Sequence, residues 1–168
     1  MALIVEDGTQ VANADSYGSL SGLKTFASRR GNDLASSYTD TQLEAAMIRS
    51  MDWIESKRDK FQGDKVSTAQ ALQWPRSGAC IDKTLVATNA IPQELISAQY
   101  FLAIEALTQD LQPTKKSTDK GPVSSEAVEG AVSIAYDTRF SVSHSVYEKA
   151  NEMMKVLYGV VGDRIVRS

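Results

Sequence analysis

The pattern that most constrains the fold lies between Thr39 and Lys60. Leu43, Met47, Met51 and Ile54 recur at helical spacing, with Ala46 beside them and Trp53 near the far end. Thr39 and Gln42 stand three apart just ahead of the stripe, the spacing of a capping box. Glu55, Lys57, Arg58, Asp59 and Lys60 make the last turns polar, and Gly63 offers a stop. This predicts a helix over about 40–61 with one apolar side. Such a side is stable only when other elements cover it, so the chain must build a bundle around it.

The partners are legible on both sides. Tyr17, Leu20, Leu23 and Phe26 share helical spacing, Asp15 or Ser16 offers a cap, and Arg29-Arg30-Gly31 closes a helix over about 16–30. Gly18 and Gly22 weaken it by roughly 1 kcal/mol each, so tertiary packing is expected to hold it. Pro92 suits the first turn of a helix over about 92–111. Its main face is Leu95, Ala98, Leu102 and Ala106, and Phe101, Ile104 and Leu107 make the other side apolar too. A helix apolar nearly all round is either the centre of the bundle or turns one face to another chain, and the intramolecular reading comes first. A last helix over about 145–158 runs through Val146, Ala150, Met153 and Leu157.

Between these lie non-helical stretches. Leu3-Ile4-Val5 reads as a strand or extended arm, followed by an Asp7-Gly8 turn. Residues 64–90 show no sustained period, and Trp74-Pro75 with Gly78 marks an ordered loop. Residues 112–125 form a polar connector. Val132, Ile134 and Tyr136 then alternate strictly, which predicts a β-hairpin over about 123–137 with its turn at Glu129-Gly130. Residues 159–168 read as a C-terminal arm. The expected fold is mainly α: one domain over residues 1–168, a small helical bundle with an inserted β-hairpin and extended N- and C-terminal arms.

Composition narrows the function. Of 168 residues, 42% are hydrophobic and 23% charged, a globular balance with no run long enough to span a membrane. The N-terminus has no basic segment and meets Glu6-Asp7 at once, so it does not read as a signal peptide. The net charge of −3 argues against nucleic acid as the main partner, because phosphate neutralisation needs a positive surface.

Catalytic signatures are missing. A single histidine, His144, and a single cysteine, Cys80, supply neither a metal set nor a disulfide. There is no phosphate-binding glycine loop and no nucleophile elbow. Glu44, Asp52 and Glu55 lie beside Arg49, Lys57 and Arg58 and read as a solvated charged face. The expectation is a protein without enzymatic activity, metal or cofactor.

Three stretches together resemble one family. They are the opening Leu3-Ile4-Val5-Glu6-Asp7-Gly8-Thr9 with Ala12-Asn13-Ala14-Asp15-Ser16-Tyr17, the string Ala69-Gln70-Ala71-Leu72-Gln73-Trp74-Pro75-Arg76-Ser77-Gly78, and the hairpin Val123 to Tyr136. The chain resembles phage and prophage proteins labelled DnaT-like single-stranded-DNA-binding proteins. Those proteins are encoded among head and tail genes and are similar in layout to head–tail connector (adaptor) proteins. The resemblance implies a structural virion protein of a tailed phage, at the neck between head and tail. It further implies a homo-oligomeric ring, of twelve subunits, between the portal protein and a tail-side stopper or terminator protein. DNA would pass through the channel without specific binding, and no membrane is involved. The family label implies the alternative, single-stranded-DNA binding in replication; a non-virion assembly factor is a third reading.

Single-stranded-DNA binders combine a basic groove with stacking aromatics. Here aromatics are 7% of the chain, and Phe26, Tyr100 and Phe101 fall on core stripes. Lys115, Lys116 and Lys120 make the connector basic, but Asp119 sits among them. The adaptor reading therefore comes first. Its candidate assembly contacts are Trp74, Pro75 and Arg76 in the loop, Glu129, Val132, Ile134 and Tyr136 in the hairpin, and Ile165, Val166 and Arg167 in the C-terminal arm. For Trp74 and Arg76, a purely internal role, core filling for one and bonds to loop carbonyls for the other, comes ahead of direct partner contact.

Overall fold

The structure is a computed structural model that describes residues 2–112, 123–128, 132–136 and 147–159. It is mainly α. The helices are α1 (Leu20–Ser28), α2 (Leu34–Ser37), α3 (Asp40–Glu55), α4 (Gln93–Ala106) and α5 (Glu148–Met154), the last continued by a 3-10 turn, Lys155–Leu157. Three two-stranded antiparallel sheets accompany them: β1 (Asp64–Lys65) with β2 (Arg76–Ser77), β3 (Cys80–Ile81) with β4 (Thr84–Leu85), and β5 (Val123–Val128) with β6 (Val132–Tyr136). The chain forms two compact units, residues 112–146 with the β5–β6 hairpin, and the remainder.

The capping box of α3 is present as the spacing requires. Thr39 Oγ1 accepts from the Gln42 N–H at 3.3 Å, and Gln42 Oε1 accepts from the Thr39 N–H at 2.9 Å. Leu43, Ala46, Met47, Met51, Trp53 and Ile54 are all buried. The helix stops at Glu55 rather than near residue 61. Lys57, Arg58 and Lys60 close three-residue turns instead, donating to Ile54, Glu55 and Lys57 carbonyls. Those turns deliver the buried Phe61 to an antiparallel bridge with Tyr158.

α4 is the central helix and packs against α1, α3 and α5. Leu95, Ala98, Leu102, Ala103 and Ala106 are buried, and Phe101, Ile104 and Leu107 are half-buried against the same core. α5 contributes Ala150 and Met154, and the turn after it Leu157. Met153, which the spacing places in the core, is half-buried, and its neighbour Met154 takes the buried position.

α1 starts four residues later than the spacing predicts. Ser19, not Asp15 or Ser16, is its cap, with Oγ accepting from the Gly22 N–H at 3.0 Å. The reason is a glutamine on α4. Gln99 Oε1 accepts the N–H groups of both Tyr17 and Gly18 at 3.0 Å, and its Nε2 donates to Ser16 Oγ at 2.9 Å. That segment is held by α4 and by the N-terminal arm, where Glu6 N–H donates to the Ser16 carbonyl. Gly18 and Gly22 are explained by close approach. A Cβ on either would lie 2.4 Å or less from the Tyr100 ring or its hydroxyl. Tyr100 fills that space, and its Oη accepts from the Ser19 N–H at 3.1 Å.

The four-residue α2 and the β1–β2 and β3–β4 pairs have no counterpart in the sequence reading. The β3–β4 turn, Asp82-Lys83, has φ of 48° and 66°. Two consecutive left-handed residues are what a tight hairpin needs, but Asp-Lys is a weak signal for it.

Candidate functional site

The string Gln70-Ala71-Leu72-Gln73-Trp74-Pro75-Arg76 folds into a loop that braces itself. Leu72, Trp74, Pro75 and Arg76 are buried, and the Trp74–Pro75 peptide is cis. Trp74 is fully enclosed, with Phe61 edge-on at 6.2 Å. Gln70 staples the loop from inside: Nε2 donates to the carbonyls of Leu72 and Pro75, and Oε1 accepts from the Ser67 N–H. The conspicuous residues of the string therefore have internal tasks.

Arg76 is buried, and among the described residues no carboxylate forms an ion pair with it. Its Nε donates to the Gln62 carbonyl at 2.8 Å and its Nη2 to the carbonyl of Gly63. Nη1 reaches Gln73 Oε1 at 3.2 Å. A planar fork of donors can satisfy several carbonyls at once, which an ammonium cannot do in the same geometry. Burial lowers its pKa, while the charges of Asp64, Tyr17 and Glu55 act in the opposite direction.

Beside this loop is a buried polar junction. The Tyr17 hydroxyl donates to Glu55 Oε1 at 3.0 Å and accepts from the Trp74 N–H at 3.0 Å. The same carboxylate oxygen accepts from the Gln73 N–H at 3.1 Å. Glu55 thus departs from the solvated face expected for it. Desolvation pushes its pKa above the usual carboxylate value, partly opposed by these hydrogen bonds and by Lys65. Burial, together with the Glu55 charge, pushes the Tyr17 pKa well up. The junction ties the N-terminal segment, α3 and the loop together. Nothing in it is arranged as an acid–base pair open to a substrate.

The model of one family, described as "Putative DnaT-like ssDNA binding protein", matches residues 1–168. The chain belongs to this family. No curated protein and no solved structure matches it.

In this DnaT-like chain the three loop candidates, Trp74, Pro75 and Arg76, are buried within the chain, where Trp74 fills the core and Arg76 braces the loop. Val132, Ile134 and Tyr136 lie on β6, paired with Val128, Glu126 and Val123 of β5. Glu129, Ile165, Val166 and Arg167 lie outside the described residues, as do His144 and the lysines of the connector. Among the described residues no group of three or more His, Cys, Asp or Glu is placed to hold a metal, and no helix is long and apolar enough to cross a membrane.

Two residues missed from sequence matter to the surface. Gln62 joins three stretches of backbone through its side-chain amide, and Leu85 is 67% exposed. Neither carries a sequence signal beyond residue type. The aromatic rings are informative as well. Among the described side chains no ring is exposed, and several half-buried ones are covered by a cation of the chain itself. Arg30 lies 3.4 Å from the Phe26 ring centre, Lys149 4.6 Å from Phe101 and Lys60 5.9 Å from Tyr158.

Proposed function

We propose that this protein is a structural adaptor of a phage neck, forming a ring between the portal and the tail-side proteins. The observation that carries this reading is the inserted unit, residues 112–146, whose described sheet has only two strands. A two-stranded hairpin is marginally stable in water, and among the described residues no third strand pairs with either of its outer edges. A neighbouring subunit can satisfy both needs by adding a strand. The Tyr147 hydroxyl donates to the Asp110 carbonyl at 3.3 Å within the helical unit. A compact helical body with such an insert suits a ring subunit that meets a copy on either side.

The family description favours a second reading, single-stranded-DNA binding. Base stacking needs open ring faces. The described rings are buried, half-buried or covered by their own cations, which supports the adaptor over the DNA binder.

Deleting the gene from the phage or prophage that encodes the chain separates the two. Under the adaptor reading, phage DNA synthesis continues while DNA-filled heads and unattached tails accumulate. Arrested DNA synthesis with no such heads supports the single-stranded-DNA reading instead.

A further inference from the structure

The β3–β4 hairpin ends in an open edge. The Val86 N–H donates to the Ala79 carbonyl at 2.8 Å, and Ile81 and Thr84 flank the two-residue turn. Cys80 and Leu85, the pair between them, therefore point their N–H and C=O groups outward. On the β3 side this demand is met. Gln62 Nε2 donates to the Cys80 carbonyl at 2.6 Å, and its Oε1 accepts from the Cys80 N–H at 3.2 Å. A side-chain amide there takes the place of a neighbouring strand. On the β4 side nothing among the described residues does so, and Leu85 is the most exposed of the large apolar side chains described. An open edge carrying an exposed leucine fits an extended apolar peptide.

The same junction holds residues 156–159, the last ones described. Gln62 Nε2 also donates to the Val156 carbonyl at 2.8 Å, and the Gln62 N–H donates to the Leu157 carbonyl at 3.0 Å. The Gly159 N–H donates to the Lys60 carbonyl at 2.8 Å, and Phe61 and Tyr158 form an antiparallel bridge. Tyr158 and Gly159 are thus bonded to the Lys60–Gln62 backbone. The C-terminal stretch Val160-Val161-Gly162-Asp163-Arg164-Ile165-Val166-Arg167-Ser168 holds two β-branched pairs and no proline. Fully extended, nine residues reach about 30 Å.

We infer that the Leu85 edge of one subunit receives residues 160–168 of a second copy as an added strand. The giving and receiving surfaces lie on either side of Gln62 and differ from each other. Copies joined this way associate head to tail, which closes into a ring when the rotation allows. A chain's own segment would have to turn back across both strands of its hairpin to reach the same edge. The contact deepens the ring reading above and rests on it.

The test uses full-length chains carrying Cys80→Ser. One carries Leu85→Cys; the other carries Val161→Cys or, separately, Ile165→Cys. Mixed and oxidised, they should give a disulfide between the two chains. Leu85→Asp in the natural chain should shift sedimentation from assembled species to monomer with an unchanged melting temperature, because Leu85 is exposed. Two results overturn the inference. One is the absence of inter-chain disulfide at both tail positions. The other is a disulfide that forms within a third variant carrying Leu85→Cys and Val161→Cys on one chain while the two separate chains give none. The adaptor role can fail separately, since a protein missing from particles could still crosslink this way.

Discussion

Tyr17 and Glu55, thirty-eight residues apart, share a 3.0 Å hydrogen bond that also fixes the loop, because the Tyr17 oxygen accepts the Trp74 N–H. Tyr17→Phe keeps the ring and removes both bonds, leaving the Trp74 N–H buried without a partner. The expected loss is about 1–3 kcal/mol of unfolding free energy, measured by urea titration. A loss below experimental error would mean that the junction is not formed.

The raised pKa of Glu55 gives stability a pH dependence with a definite sign. The folded chain holds this proton more tightly than the unfolded one. The contribution is fully present below the unfolded carboxylate value of 4.5 and is lost as pH rises through the higher folded value. Glu55→Gln should flatten that part of the stability profile. A profile unchanged by the substitution would contradict the assignment.

Arg76→Lys keeps the charge and loses the fork that reaches the Gln62, Gly63 and Gln73 oxygens. Because hydrogen bonds to charged groups count for more than neutral ones, the expected cost is on the order of 2–3 kcal/mol by chemical denaturation. A near-neutral result would show that one ammonium suffices.

Gly22→Ala should destabilise although alanine favours helices. The new methyl would stand 2.0 Å from the Tyr100 hydroxyl. Overpacking costs about 1–3 kcal/mol against roughly 1 kcal/mol of propensity gain. Adding Tyr100→Phe should recover part of the loss, which a melting series on the single and double variants reads directly.

The helices were legible because each carries a continuous apolar stripe, and α3 adds its capping box. Their ends were less so. α1 begins where Gln99 releases Gly18, and α3 stops where Phe61 must turn toward Tyr158; both limits are set by residues far along the chain. The Trp74–Arg76 string was recognisable, but its internal task was decided only by burial and by the Gln70 and Arg76 bonds. The β3–β4 pair escaped because Asp82-Lys83 is an unusual hairpin turn, and Leu85 beyond it looked like any leucine.

The adaptor reading turns on how many copies each particle holds. Peptide mass spectrometry of purified tail-bearing particles, quantified against the portal protein, measures this directly. The ring predicts near-equal copy number with the portal. Absence from the particle, with abundance in the infected cell, would contradict the adaptor and favour a role in replication or assembly.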